Sequence, residues 1–242
     1  MKNDKVTRLF NEALNRYALI GDGDKILVGL SGGKDSLALL ELLAHRQRIF
    51  VPRFSVVAVH VKMSNIPYLC DEDYLRSFAE GLGVELMVCE TSFDASTDTR
   101  HTPCFLCSWQ RRKAMFEMAK TLGCNKIALG HHRDDIMQTA LMNLTFQGQF
   151  SSMRPLMAMD RFPMTIIRPL CLIREKQLEE WALEQGYHRL KRECPYNDAT
   201  RRNDMKEVVA MLEKLNPEFA YTFYRAIEKN GTPLLNPNNQ SQ

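Results

Sequence analysis

The chain has 242 residues, of which 45% are hydrophobic and 25% charged, a balance typical of a globular protein with one substantial core. No stretch approaches the roughly 20 apolar residues of a membrane-spanning helix, and the charged N-terminus lacks the apolar centre of a signal peptide. These features predict a cytoplasmic protein with no membrane contact. The formal net charge of +3 is too small to identify a nucleic-acid partner.

Short apolar runs alternate with amphipathic stretches over the first two thirds of the chain. Strands are predicted at residues 25–30, 54–61, 84–89, 126–129 and 165–167. Helices are predicted at residues 1–20, 36–45, 71–82, 107–122 and 134–146. Strands that alternate with helices imply right-handed crossovers and a parallel sheet covered on both faces, so the predicted class is α/β with three layers.

The last third of the chain is predicted to be helical and to end in a polar tail. Helices are expected at residues 175–185, 204–215 and 217–228. We therefore predict four parts: an N-terminal helix at 1–20, an α/β domain at 21–172, a helical extension at 173–230 and a disordered tail at 231–242.

The string SGGKDS follows the first predicted strand and opens a helix. Gly32 and Gly33 allow a tight turn that brings backbone N–H groups against an anion at the positive end of the helix dipole. Lys34 adds a positive charge, and the hydroxyls of Ser31 and Ser36 add hydrogen-bond donors. A simple capping turn is the alternative, but the whole string favours a phosphate-binding loop.

The same string differs from the mononucleotide P-loop. That motif needs glycine where Val28 stands and serine or threonine where Asp35 stands, so a kinase or GTPase is excluded. The string instead resembles the PP-loop of the N-type ATP pyrophosphatases. The resemblance implies that the loop holds the β- and γ-phosphates of ATP while a substrate attacks the α-phosphorus, giving an adenylated intermediate and pyrophosphate. Lys34 and Asp35 are the expected catalytic residues.

A second motif, GHHRDD, follows the strand predicted at 126–129 and begins with Gly130. Ligands of open parallel sheets bind at this carboxyl edge. Asp134 or Asp135 could hold a magnesium ion that bridges the phosphates, or cap the next helix; of the two, Asp135 is assigned to the nucleotide site. His60 ends the second strand, where it could approach the adenine or pack in the core.

Three of the seven cysteines form a candidate metal site. Cys104 and Cys107 have C-x-x-C spacing at the start of a helix, and Cys194 precedes a proline. Alone, the pair could be half a zinc site, a redox pair or chance. No second C-x-x-C completes a zinc site, whereas three cysteines could hold an iron–sulfur cluster with one open iron. Buried structural roles are predicted for Cys70, Cys89, Cys124 and Cys171.

Together these motifs resemble the tRNA 2-thiocytidine synthetase (TtcA) family of PP-loop enzymes. The residues that carry the resemblance are SGGKDS, Cys104 and Cys107 with Arg111 and Arg112 after them, GHHRDD and Cys194. It implies that the three cysteines hold a 4Fe–4S cluster, that ATP and Mg²⁺ are bound, and that a cytidine of the tRNA anticodon loop is thiolated. A sulfur donor such as a cysteine desulfurase and a homodimeric assembly are expected as well.

Two features depart from that family. Cys194 is not followed by a second cysteine, and no additional RNA-binding domain is visible in the sequence. The alternatives are a PP-loop enzyme that adenylates another tRNA base or a small molecule, with a persulfide or an amine as nucleophile, and a non-catalytic ATP- or cluster-sensing module. Arg111, Arg112, Lys113 and the basic stretch at 189–206 are predicted to contact RNA phosphates.

Overall fold

The computed structural model describes residues 4–66, 71–94, 102–159, 163–188 and 201–230. In these ranges the helices are α1 Asp4–Arg16, α2 Lys34–Gln47, α3 Glu72–Gly81, α4 Pro103–Thr121, α5 Arg133–Gln147, α6 Glu175–Glu184, α7 Arg201–Leu215 and α8 Phe219–Asn230. The strands are β1 Asp24–Gly29, β2 Phe54–Met63, β3 Leu86–Thr91, β4 Lys126–Ala128, β5 Leu156–Ala158 and β6 Thr165–Ile167.

Several predictions concern positions beyond those ranges. Cys70, Cys194, the basic positions Arg189, Lys191 and Arg192, and the tail at 231–242 all lie outside the described residues. Among the residues that are described, no helix is long and apolar enough to cross a membrane.

The six strands form one sheet in the order β3-β2-β1-β4-β6-β5. All neighbouring pairs are parallel except β5 with β6, which is antiparallel. The predicted α/β class with a parallel sheet is confirmed, and the sheet carries one further, antiparallel strand at this edge, β5. The sequence analysis missed β5, since three partly exposed residues give no periodic pattern.

Strand β2 shows why the sheet is covered on both faces. Val57 and Val59 pack into a cluster with residues of α4, while Val56 and Ala58 pack into the main core with residues of α2. Successive side chains of a strand point to opposite faces, so a strand buried on both faces is apolar without alternation. The uninterrupted apolar run in the sequence therefore reflects a three-layer arrangement.

The C-terminal helices pack onto the α/β core through buried polar contacts. Trp181 Nε1 on α6 donates to Glu41 Oε2 on α2 at 2.9 Å, and the Tyr187 hydroxyl donates to the same oxygen at 2.5 Å. On α8, Glu228 accepts from the hydroxyl of Tyr17, the residue after α1, at 2.5 Å. These contacts hold α6 against α2, and α8 against the end of α1. The boundary at 172 and 173 stays a proposal.

Candidate nucleotide and sulfur site

A candidate site lies at the carboxyl ends of β1 and β4, where a cavity of about 640 Å³ opens. The chain runs from β1 outward to β2 and β3 and then returns to place β4 on the other side of β1. Open α/β sheets bind ligands at such a reversal of strand order. The two predicted motifs converge here. The predicted nucleotide-site residues that line the cavity are Ser31, Gly33, Lys34, Asp35, Ser36, His60, Gly130 and Asp135.

The loop after β1 has the geometry of an anion-binding turn. Gly32 adopts a φ of +80°, in the left-handed region that favours glycine. Ser36 Oγ donates to the carbonyl of Gly33 at 2.8 Å and accepts from the Ser31 N–H at 3.1 Å, so it closes the loop on itself. Gly33 is the N-cap of α2, so no side chain of the N-cap residue occupies the helix N-terminus. The positive end of α2 therefore lies at the cavity, where an anion is stabilised.

Gly130 allows the second motif to pack directly on this loop. A Cβ at this position would lie 3.2 Å from the carbonyl carbon of Asp35 and 3.3 Å from the backbone nitrogen of Ser36. These are backbone atoms of α2, which cannot move aside as a flexible side chain can. The glycine is therefore required by the close approach of the two motifs rather than by an unusual φ.

Charged side chains from three helices meet at the cavity. Lys34 Nζ lies 3.3 Å from Asp35 Oδ1 and 3.5 Å from Glu175 Oε1 on α6, and Lys206 Nζ on α7 lies 3.0 Å from the same Glu175 oxygen. Burial lowers the pKa of Lys34, but the carboxylates of Asp35 and Glu175 outweigh it and the net pKa is raised. Burial raises the pKa of Glu175, yet Lys206 and Lys34 bring it below its ordinary value. The shifts therefore keep Lys34 cationic and Glu175 anionic near neutral pH.

The two aspartates of GHHRDD have different environments. Asp134 is buried and accepts from Arg174 Nε and from the Glu175 N–H, both at 2.7 Å. Asp135 lines the cavity, and its Oδ2 accepts from the His132 N–H at 3.1 Å in a capping box. Asp134 therefore holds α5 against α6, which leaves Asp135 as the candidate magnesium ligand. Asp35 offers a further oxygen, because its Oδ1 is buried and, beside its 3.3 Å ion pair with Lys34 Nζ, accepts no hydrogen bond.

Three histidines line the cavity, and hydrogen bonds define the tautomers of His60 and His131. His60 is 2% exposed, and its Nδ1 donates to the carbonyl of Leu30 at 2.8 Å. Burial lowers the pKa of His60, so the ring is neutral near pH 7. His131 Nδ1 accepts from Arg168 Nε at 3.3 Å, so the proton of neutral His131 is on Nε2. Burial, together with Arg112, lowers the pKa of Arg168 to about 10, which leaves it cationic.

The C-x-x-C pair lies in the first turn of α4, earlier than the predicted helix start at 107. Thr102 is the N-cap and accepts from the Phe105 N–H at 3.3 Å. Cys104 is exposed, while Cys107 is partly buried against a small apolar cluster that includes Met63 and Phe93. The cysteines are three residues apart, so both thiols are on one side of the helix end.

Helix α4 connects this pair to the cavity. Arg111 and Met115 line the cavity, one and two turns beyond Cys107. At 1.5 Å per residue these positions are ~6 and ~12 Å from Cys107 along the helix axis. A sulfur atom held at the helix end would therefore be close to a substrate activated in the cavity.

The convergence of three cysteines stays a prediction, because Cys194 lies outside the described residues. Within the described ranges, no group of three metal-binding side chains occurs. Of the predicted structural cysteines, Cys124 and Cys171 are buried as expected, and burial raises the pKa of Cys171 to about 12. Cys89 is only partly buried, so full burial is wrong for this residue.

Several cavity residues were missed or given another role by the sequence analysis. Glu175 carries no motif, and its place in the cavity results from the packing of α6. Arg111 and Lys206 were assigned to RNA phosphates but line the nucleotide cavity. Their position depends on how α4 and α7 pack, which a run of basic residues does not reveal.

Comparison with known proteins identifies the class. A family model described as a PP-loop domain matches residues 2–212 of the chain. The chain is thus a PP-loop protein, as the geometry of the loop after β1 and of GHHRDD indicates.

The relatives define the family more narrowly. The chain is 34% identical over 226 residues to a tRNA-cytidine(32) 2-sulfurtransferase of Polynucleobacter asymbioticus, covering 92% of this chain and 75% of the relative. It is also 34% identical to the enzyme of that name from Vibrio cholerae serotype O1, covering 93% and 73%. The chain belongs to the tRNA-cytidine(32) 2-sulfurtransferase family.

One solved structure is similar over nearly the whole chain. It is the U34-tRNA thiolase NcsA from Methanococcus maripaludis with its 4Fe–4S cluster, which matches with a TM-score of 0.77 and 27% identity. The match covers 93% of this chain and 77% of NcsA.

Proposed function

We propose that this protein is an ATP-dependent tRNA sulfurtransferase that forms 2-thiocytidine in the anticodon loop. The observation that carries the proposal is helix α4, which starts at a C-x-x-C pair with Cys104 exposed and Cys107 partly buried, and continues along the wall of a PP-loop cavity. This arrangement combines a site for activating a carbonyl oxygen with a site for holding sulfur. The names of the relatives support tRNA as the substrate, and their C32 specificity makes that position the proposed target.

The reaction requires two displacements. In the first, the carbonyl oxygen at C2 of the cytosine attacks the α-phosphorus of ATP, and pyrophosphate leaves. The N-terminus of α2 and Lys34 are positioned to stabilise the charge that develops on pyrophosphate. In the second, a sulfur nucleophile attacks C2, the bond from C2 to the adenylated oxygen breaks, and AMP leaves with that oxygen.

The donor sets fit the proposed cofactors. Asp35 and Asp135 supply carboxylate oxygens at the cavity, which suit Mg²⁺. Cys104 and Cys107 are accessible thiols one helical turn apart, which suit two ligands of a 4Fe–4S cluster, with Cys194 as the proposed third. When bound, such a cluster supplies an open iron that can carry sulfide.

Three further parts of the proposal concern the cell. Each thiolation consumes one sulfur atom, so a donor such as a cysteine desulfurase is required. The proposed location is the cytoplasm, where such a tRNA substrate is found. A homodimer is the proposed assembly, and light scattering coupled to size exclusion tests it.

Thiolation of defined tRNA tests the function. Anaerobically purified protein with ATP, Mg²⁺ and sulfide should release AMP and pyrophosphate and form 2-thiocytidine, detected by mass spectrometry of the digested tRNA. A tRNA with uridine in place of cytidine 32 should not be thiolated. Release of ADP and phosphate would refute adenylation, and thiolation at position 34 would assign the chain the specificity named for NcsA instead.

Lys206 should bind the phosphates of ATP together with Lys34. The Lys206 ammonium, on α7, and the Lys34 ammonium both form ion pairs with the Glu175 carboxylate at the cavity. A bound triphosphate would compete with Glu175 for both lysines. Lys206→Ala is expected to weaken ATP binding about tenfold, since a charge-assisted contact contributes ~1.5–3 kcal/mol. Lys214→Ala, an exposed lysine on the same helix, should leave the Kd for ATP unchanged. Equal affinities in calorimetry would remove Lys206 from the site.

Asp134 and Asp135 should respond differently to the same substitution. Asp134→Asn is expected to lower the free energy of unfolding by ~1–3 kcal/mol, because it weakens buried charge-assisted bonds to Arg174 and Glu175. Asp135→Asn should instead raise the Mg²⁺ concentration needed for pyrophosphate release, with a smaller loss of stability. Denaturant unfolding and magnesium titration distinguish them, and the reverse pattern would exchange the two roles.

A further inference from the structure

The exposed face of α4 presents a tryptophan within two turns of the cysteine pair. Trp109 is 53% exposed, although tryptophan is usually much more buried. Phe105, one turn earlier, is 46% exposed, and Arg112 lies on the same stripe at i+7. Cys104 is ~7.5 Å from Trp109 along the helix axis, and at 3.6 residues per turn Trp109 lies on the side of α4 away from Cys107 and Arg111.

The charges around this stripe select a polyanion. From Thr102 to Phe116 the sequence contains no acidic residue, while Arg111, Arg112 and Lys113 are consecutive. Arg112 and Lys113 are exposed. An apolar protein partner would not require three adjacent cations, whereas interleaved aromatic and basic side chains are the combination that binds single-stranded nucleic acid.

We propose that Trp109 is a stacking platform for an unpaired base of the RNA substrate, on the outer face of the helix that starts at the cysteine pair. A base stacked on the indole, with phosphates at Arg112 and Lys113, would hold the loop against this face of α4. Arg111 and Met115 line the cavity on the other side of the same helix, so the loop would pass around α4 to bring its target nucleotide there. This inference rests on the proposed function and adds to it a residue that distinguishes an unpaired loop from a duplex.

The two tryptophans of the chain provide a direct measurement. Trp181 is 5% exposed, and its Nε1 donates to Glu41 at 2.9 Å, so RNA cannot reach it. Addition of an anticodon stem-loop should quench the emission of Trp109 alone. A hairpin of equal charge without unpaired bases should quench much less, and Trp109→Phe, which leaves only Trp181, should show almost no quenching.

Affinity measurements complete the test. Trp109→Ala should weaken binding of the stem-loop about tenfold, which lies within the range that stacking of one base on an aromatic side chain contributes, while Trp109→Phe should retain most of the affinity. Phe50→Ala is the matched control: Phe50 is 75% exposed but precedes β2, at the sheet edge opposite the cavity. Its stem-loop affinity should equal that of the unmodified chain.

The outcomes separate this inference from the proposed function. If the unmodified chain thiolates tRNA and Trp109→Ala does so with unchanged affinity, the stacking platform is refuted and the function stands. If Trp109 emission changes with protein concentration and not with RNA, the face is an interface between two copies of the chain. If no RNA is bound or thiolated, both proposals fail.

Discussion

Replacing Lys34 or Asp35 with alanine should abolish the release of AMP and pyrophosphate while the chain still folds. Lys34 Nζ is held at the cavity by Asp35 and Glu175, and its raised pKa keeps it cationic. Removal of one preorganised group that stabilises developing charge typically lowers the rate roughly 100- to 1,000-fold. Loss of Asp35 removes a carboxylate proposed to contact Mg²⁺ and also releases Lys34, so its effect should be at least as large.

The fold should survive both substitutions. Lys34 and Asp35 form the first turn of α2 and are partly buried. Alanine is the best helix former, so neither substitution should unwind that turn.

Product analysis and a matched control make the experiment decisive. Lys176→Ala removes an exposed lysine next to Glu175 and should keep full AMP release. AMP and ADP are separated by chromatography, pyrophosphate is measured enzymatically, and circular dichroism checks the fold of each variant. A folded Lys34→Ala protein that still forms AMP at the normal rate would contradict the assigned role of the loop.

The parts of the fold that were predicted correctly have a sequence pattern that lies within a single strand or helix. Strands β1 and β2 are apolar on both faces because helices cover both faces of the sheet. A continuous apolar run of this kind can be recognised from the sequence alone. The edge strand β5 lacks such a signal, since its three residues pair only with β6 and stay partly exposed. The antiparallel direction of β5 depends on how the chain connects β5 to β6, and the hydrophobic periodicity of the sequence does not specify that connection.

The same distinction applies to the site. Ser31 and Gly130 were found because each motif follows a strand, and adjacent parallel strands end at one edge. Glu175 and Lys206 come from helices beyond the sheet, so only tertiary packing brings them to the cavity. The choice between the two aspartates depended on the position of Arg174, forty residues later, to which Asp134 is bonded.

The cysteine pair should be required for sulfur transfer but not for adenylation. Cys104 and Cys107 lie at the N-terminal end of α4, whereas Arg111 and Met115, further along the same helix, line the ATP cavity. Serine at either position keeps the size of the side chain but removes a thiolate ligand. Cys104→Ser and Cys107→Ser should therefore lose bound iron and thiolation together and keep their affinity for ATP. The same loss is predicted for Cys194→Ser.

Two other cysteines provide the controls for this experiment. Cys89 lies on β3 and Cys124 is buried before β4, and burial raises the pKa of both thiols, which makes them poor nucleophiles. Cys89→Ser and Cys124→Ala should retain iron and thiolation. Iron and acid-labile sulfide are measured on anaerobically prepared protein, and 2-thiocytidine is measured by mass spectrometry on the same samples.

A relay of persulfides through Cys104 and Cys107 predicts the same loss of thiolation but no role for iron. Metal-free protein that thiolates tRNA at the normal rate would therefore decide for the relay, and iron-dependent thiolation that all three serine variants lose would decide for the cluster.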